Sequence, residues 1–164
     1  TTFKDQLIEG EETFYLELGQ VENAVLLTPA GVGVIQDENP EPTMSVHDVS
    51  IDEGTGGKTQ AVFNVTLSLS STVDIQVWFA TATGTAKSED FDSLAGWLTI
   101  PAYATQATIT VDVVGDDLPE EDEIFSMVLS DFQGARPGDD RATCTIRDDD
   151  GYFPGYLFLP MVVK

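Results

Sequence analysis

Residues 5–18 (DQLIEGEETFYLEL) return as residues 116–129 (DDLPEEDEIFSMVL), and the offset is constant along the match. Asp5 pairs with Asp116, Glu12 with Glu123 and Phe14 with Phe125, each 111 positions on. Ile35-Gln-Asp37-Glu pairs with Ile146-Arg-Asp148-Asp at the same spacing. An ungapped repeat of this kind is one structural unit used twice. Residues 1–39 copy only the last third of 43–150, so the sequence reads as the C-terminal portion of one unit followed by a whole one. The join is Asn39-Pro-Glu-Pro42, with 40–42 as linker, and its prolines favour a stiff connection.

Within 43–150 the apolar residues alternate over short runs separated by turn residues, with no convincing helical period. A first strand is expected over about 44–51, through Met44, Val46, Val49 and Ile51. Others follow through Ala61, Phe63, Val65, Leu67 and Leu69; through Val73, Ile75, Val77 and Phe79; and briefly from Trp97 to Ile100. The last three use Ala107, Ile109, Val111 and Val113; Phe125, Met127 and Leu129; and Ala142, Cys144 and Ile146. Seven strands with one apolar face each predict an all-β fold, a seven-stranded antiparallel immunoglobulin-like β-sandwich. In 1–39 the same reading predicts strands over about 12–19 and 31–36. Two strands are not stable alone in water, so Phe14, Leu16, Leu18, Val32 and Val34 need a cover.

Charge enters through where it falls. Twenty-nine acids against seven bases give a net charge of −22, which excludes a nucleic-acid binder relying on phosphate attraction. If successive strands run up and down, the loops after the first, third and fifth strands and the exit from the seventh share one end. Fourteen acids converge there: Asp52, Glu53, Glu89, Asp90, Asp92, Asp116, Asp117, Glu120 to Glu123, and Asp148 to Asp150. The loops Ser70-Ser-Thr72 and Pro101 to Thr105, at the opposite end, carry no acid. So many carboxylates at one pole repel strongly, and hard divalent cations with about six to eight oxygen ligands are the natural remedy. Calcium is favoured over a merely solvated acidic pole. Zinc is disfavoured: one cysteine and one histidine cannot build a thiolate or imidazole cluster, and the single cysteine also rules out an intramolecular disulfide.

The arrangement Thr81-x-x-Gly84-Thr85-Ala86-x-x-x-Asp90-Phe91, then Asp116-Asp-x-x-Glu120-x-x-Glu123-x-Phe125, then Ile146-x-Asp148-Asp-Asp150 resembles the Calx-beta signature. That family is the calcium-binding sandwich of sodium–calcium exchangers, integrin beta-4 and many bacterial surface proteins. The resemblance covers 43–150, and 1–39 matches the family's final third. It implies Ca2+ as the ion, with side-chain oxygens from Glu53, Asp90, Asp116, Asp117, Glu120, Glu123, Asp148, Asp149 and Asp150 and a backbone carbonyl from Leu118. The family often has a further acid where Gly115 stands. In the partial copy Asp5, Glu9, Glu12, Asp37 and Glu38 match, while Gln6 and Asn39 replace Asp117 and Asp150.

Other signals are weaker. Cys144 reads as a buried structural thiol and His47 as a strand residue. Asn64-Val-Thr66 is a glycosylation sequon placed mid-strand, and Trp78 and Trp97 are packing residues or a sugar-stacking platform. No nucleophile–base pair and no phosphate-cradling glycine loop appears, so no enzyme is expected. The tail 151–164 is the most apolar segment, too short to span a bilayer. Tyr156, Leu157, Phe158, Leu159, Met161, Val162 and Val163 give it strand-like composition and an expected interface role. It reads as an added strand on its own sandwich, as a secretion or anchoring signal, or as a strand that completes the open unit of the next molecule. The expected function is an extracellular, cell-surface calcium-binding protein of bacterial type with a structural or adhesive role. Its expected partners are neighbouring repeats or copies of itself, joined head to tail into a filament by strand complementation. The alternatives are a regulatory calcium-sensing module and a carbohydrate-binding module.

Overall fold

The computed structural model describes residues 11–19, 22–25, 27, 28, 30–36 and 40–150. The tail expectation on Tyr156 to Val163, and the partial-copy acids Asp5, Glu9, Asp37 and Glu38, lie outside the described residues.

Alternation in the sequence becomes strands as expected. Among the described residues β1 (Glu12–Glu17) and β2 (Ala30–Ile35) form a two-stranded antiparallel sheet. Then come β3 (Thr43–Val46), β4 (Val49–Asp52), β5 (Gly57–Leu67), β6 (Ile75–Thr83), β7 (Ala95–Ile100), β8 (Gln106–Gly115), β9 (Glu123–Gln133), β10 (Arg136–Pro137) and β11 (Arg141–Arg147). They build two sheets, in the orders β10-β3-β5-β8 and β4-β11-β9-β6-β7. One core lies between the sheets. Met44, Phe63, Val65 and Val111 enter it from the first sheet and Val77, Phe125, Met127 and Cys144 from the second. Phe125 organises the centre, edge-on to Phe63 (5.9 Å between centroids) and stacked on Phe91 (4.1 Å). Cys144 lies fully within this core, and burial pushes its thiol up to about 12, as fits an inert packing residue.

One expected element is corrected. The strand read as continuous over 44–51 is two strands in different sheets: β3 pairs with β5, while β4 runs parallel to β11. The cause is a step in the pattern. Met44 and Val46 bury their side chains on even positions, whereas Val49 and Ile51 do so on odd ones, so the chain changes face between them. Asp48 Oδ1 secures the crossing by accepting the Thr143 N–H at 2.7 Å. With the short β10 added, 43–150 holds nine strands rather than seven, and two of the pairings, β10 with β3 and β11 with β4, are parallel. Val73, expected in the third strand, stands outside β6 and is exposed, because Ile75 begins the paired segment.

The repeat is visible in the backbone. Glu12↔Ile35, Phe14↔Gly33 and Leu16↔Gly31 pair across β1 and β2. Glu123↔Ile146, Phe125↔Cys144 and Met127↔Ala142 pair across β9 and β11, the same register shifted by 111.

Candidate metal centre

The strand order places four chain segments at one end of the sandwich. Glu53 directly follows β4, and Asp148 to Asp150 directly follow β11; because β4 and β11 are parallel, both sets emerge together. Asp90 comes from the β6–β7 connection, Asp116 to Asp122 from the β8–β9 connection, and Glu123 opens β9.

Each carboxylate is held by its neighbourhood. The Glu53 N–H donates to the Arg147 carbonyl, and the Thr59 hydroxyl donates to the Glu53 carbonyl at 2.8 Å. Gly54, at φ +83°, turns the chain there, and its N–H donates to Asp149 Oδ1 at 2.8 Å. Asp148 Oδ2 accepts from the Glu120 N–H and its Oδ1 from the Asp150 N–H. The Leu118 N–H donates to Asp116 Oδ1, closing the turn that opens the β8–β9 connection. Asp90 Oδ2 accepts from the Lys87 N–H at 2.6 Å, while buried Phe91 anchors the loop on Phe125.

The Thr81–Ala86 part of the signature turns out to be scaffolding. Thr81 Oγ1 accepts from the Leu94 N–H, the Thr85 hydroxyl accepts from the Ile124 N–H, and the Ala86 N–H donates to the Ile124 carbonyl. Gly84 lies against that same carbonyl, where a Cβ would collide with the oxygen. These contacts clip the loop carrying Asp90 to the start of β9, beside Glu123.

Among the described residues two groups of three carboxylates result, each with oxygens all within 4.8 Å of one another: Glu53 with Asp148 and Asp150, and Asp90 with Glu120 and Glu123. Glu53 is only 6% exposed. Burial, then the charges of Glu120, Asp116, Asp148 and Asp150, push its carboxyl up to about 7. Glu123 is likewise pushed to about 7 by burial and then by its hydrogen bond and charge contact with Asp90, while Lys87 opposes the shift. Burial first and neighbouring acids second also raise Glu120 and Asp150. Asp117 and Asp149 add to the field at Asp150. The site thus holds more negative charge than it can comfortably ionise.

Not every acid assigned to this end joins the groups. Asp52 pairs with Arg147 (2.9 Å) and Asp92 pairs with Lys58. Gly115 explains the missing further acid: a Cβ there would meet the carbonyl oxygens of Gly54 and Glu53, so this chain fills that space with backbone. Sequence reasoning did not single out Thr59 or the turn glycine Gly54; the signal was the run Gly54-Thr-Gly-Gly57 just after Glu53. Lys87, the cation beside the second group, was also missed. Trp78 and Trp97 face each other across β6 and β7, edge to face at 5.6 Å, on a different part of the molecule.

The donors fit a hard cation. Both groups are all oxygen, with no nitrogen or sulfur ligand within them. Asp150 Oδ2 is a buried oxygen without a hydrogen-bond partner, the state expected of a lone pair reserved for a ligand.

The Calx-beta domain model matches residues 1–39 and again 36–150. The chain therefore belongs to the Calx-beta family, a family of calcium-binding modules. Among solved structures it is similar to the apo-form Calx CBD1 domain: 26% identity, TM-score 0.57, 68% of this chain and 100% of that one. It is also similar to CBD12 from CALX1.2, with 26% identity and TM-score 0.58 over 66% of this chain, and to the calcium binding domain CBD12 of CALX1.1, with 27% identity and TM-score 0.58 over 65%. The match spans 46% of each of those two longer chains. No curated protein matches the sequence.

Proposed function

We propose that this chain is a calcium-binding structural module of an extracellular surface protein of bacterial type, and that calcium fixes the acidic end of the 43–150 sandwich. One observation carries the reading. Carboxylates from four separate segments meet in two groups, and one of their buried oxygens, Asp150 Oδ2, has no partner. Glu53, Asp148 and Asp150 would hold one ion, and Asp90, Glu120 and Glu123 a second. Asp116, Asp117 and Asp149 contribute field, and Leu118 orders the loop through its N–H. A bound divalent cation supplies positive charge, so Glu53 and Glu123 ionise without mutual repulsion. Segments 53–54, 87–91, 116–123 and 148–150 are then tied together. The role is mechanical rather than catalytic.

A second reading, a calcium-responsive module that controls a larger protein, draws support from the 26–27% identity to Calx calcium-binding domains. Calorimetric titration with calcium and with magnesium tests the shared claim. Calcium binding that weakens at least tenfold in both Asp150→Asn and Glu120→Gln supports it; heats indistinguishable from buffer remove it. Domain orientation that changes with calcium in a longer stretch of the parent protein favours the regulatory reading over the structural one.

A further inference from the structure

Seven bases serve 29 acids in this chain, so the use of each cation at the acidic end carries information. Among the described residues three basic side chains belong to that end: Lys58 at the start of β5, Lys87 in the β6–β7 connection and Arg147 at the end of β11. Two are already engaged. Lys58 pairs with Asp92 and Asp112, and Arg147 with Asp52, all outside the two carboxylate groups. Lys87 differs. Its backbone N–H donates to Asp90 Oδ2 at 2.6 Å, while its ammonium donates to the Gly84 carbonyl three residues back.

That carbonyl holds the charge in a defined place. Gly84 is packed on the Ile124 carbonyl, and the Thr85 hydroxyl accepts from the Ile124 N–H, so the 84–87 turn rides on the residue next to Glu123. The Lys87 stem therefore ends beside the group that contains Asp90 and Glu123. Its charge reaches that group. At Glu123 burial, Asp90 and Glu120 push the carboxyl up, and Lys87 pulls it down. At Glu53, in the other group, burial and four acids all push upward.

We infer that Lys87 is the resident counter-ion of the Asp90–Glu120–Glu123 group, steadying these carboxylates before calcium arrives and opposing calcium when it binds there. The inference rests on the calcium reading proposed above and adds to it a residue that is not a ligand. An ammonium fixed to a carbonyl beside the group offers one positive charge without entering it, which relieves part of the repulsion among three acids. A calcium ion brings two charges into the same space and meets the ammonium as a like charge. Lys87 thus acts in opposite directions on the calcium-free and calcium-bound states. A side chain that only packed the loop would help both.

Calorimetric titration of full chains with calcium, both otherwise wild-type and carrying Asp150→Asn to spoil the first group, tests the inference. Lys87→Met keeps the stem and removes the charge; Lys87→Arg keeps the charge. At about 0.01 M ionic strength, where charges act over about 30 Å, Lys87→Met should tighten calcium binding at least about threefold, and Lys87→Arg should stay within about twofold of its parent. At about 1 M, where screening sets in within about 3 Å, the gain should vanish. In chelator Lys87→Met should melt at a lower temperature than its parent. Calcium affinity that falls or holds steady in Lys87→Met, a gain that survives high salt, or chelated protein no less stable without the charge would each overturn the inference. Heats indistinguishable from buffer in wild-type chains remove the calcium reading and this inference together, whereas wild-type binding that ignores Lys87→Met removes the inference alone.

Discussion

The two hairpins of this chain share a register and differ in what covers them. Phe125 and Met127 on β9 are 0% exposed, whereas their counterparts Phe14 and Leu16 on β1 are 53% and 62% exposed. Local alternation is thus enough to set strand pairing, but it does not set burial. Burial comes from the facing β10-β3-β5-β8 sheet, whose Phe63, Val65 and Val111 close over β9 and β11. The acids follow the same division. Glu123 sits within hydrogen-bonding reach of Asp90 because the 84–92 loop is clipped to β9, whereas among the described residues β1 pairs with β2 alone.

That contrast can be broken most forcefully in the core. Phe125→Ala removes a ring packed on two others and should cost the module about 3–5 kcal/mol in denaturant unfolding. Phe14→Ala, at the matching position, should change the stability of the monomeric chain by less than about 0.5 kcal/mol. Equal losses would mean that β1 is buried as β9 is.

A smaller effect is expected from pH. Glu53 and Glu123 have folded pKa values of about 7 against an ordinary 4.5, so ionising them opposes folding. Without divalent cations their contribution is fully present below about pH 4.5 and is lost as pH rises through about 7. For nearly buried Glu53 the loss is up to about 3 kcal/mol. Chelated protein should therefore unfold more easily as pH rises across this window, and Glu53→Gln should flatten the slope. Calcium should flatten it too. A chelated protein equally stable at both ends of the window would contradict the proposed crowding of charge.

Smaller again are the glycines. Gly84→Ala forces a methyl onto the Ile124 carbonyl and should cost about 1–3 kcal/mol while weakening calcium binding through Asp90. Gly31→Ala, where a Cβ meets nothing within 4 Å, should stay within about 0.5 kcal/mol. Thermal unfolding of the pair separates a loop clamped to β9 from a hairpin with free space around it.

Much of this was legible in the sequence, for definite reasons. Clean alternation in Ala61–Leu67 and Ala107–Val113 reports a strand with one buried face, and both segments are strands as expected. The sheet switch after Val46 was written in the parity change from Met44 and Val46 to Val49 and Ile51, but four apolar residues in a row of eight also suit one strand. At the acidic end, strand parity was enough to gather Glu53, Asp90, Glu120, Glu123, Asp148 and Asp150. It could not tell that Asp52 and Asp92 are spoken for by Arg147 and Lys58, since those pairs join residues 95 and 34 positions apart. Nor could it show that backbone occupies the space beside Gly115, which depends on how the 53–57 turn folds.

The central claim is that the carboxylates at the end of the 43–150 sandwich bind calcium and that the binding stabilises the fold. Thermal unfolding of the full chain near neutral pH, in excess calcium and in chelator, tests it directly. The account predicts a higher midpoint in calcium, with a stabilisation of about 2.7 kcal/mol once calcium reaches about 100 times its dissociation constant, and no such gain in Asp150→Asn. Superimposable unfolding curves in calcium and in chelator would contradict it.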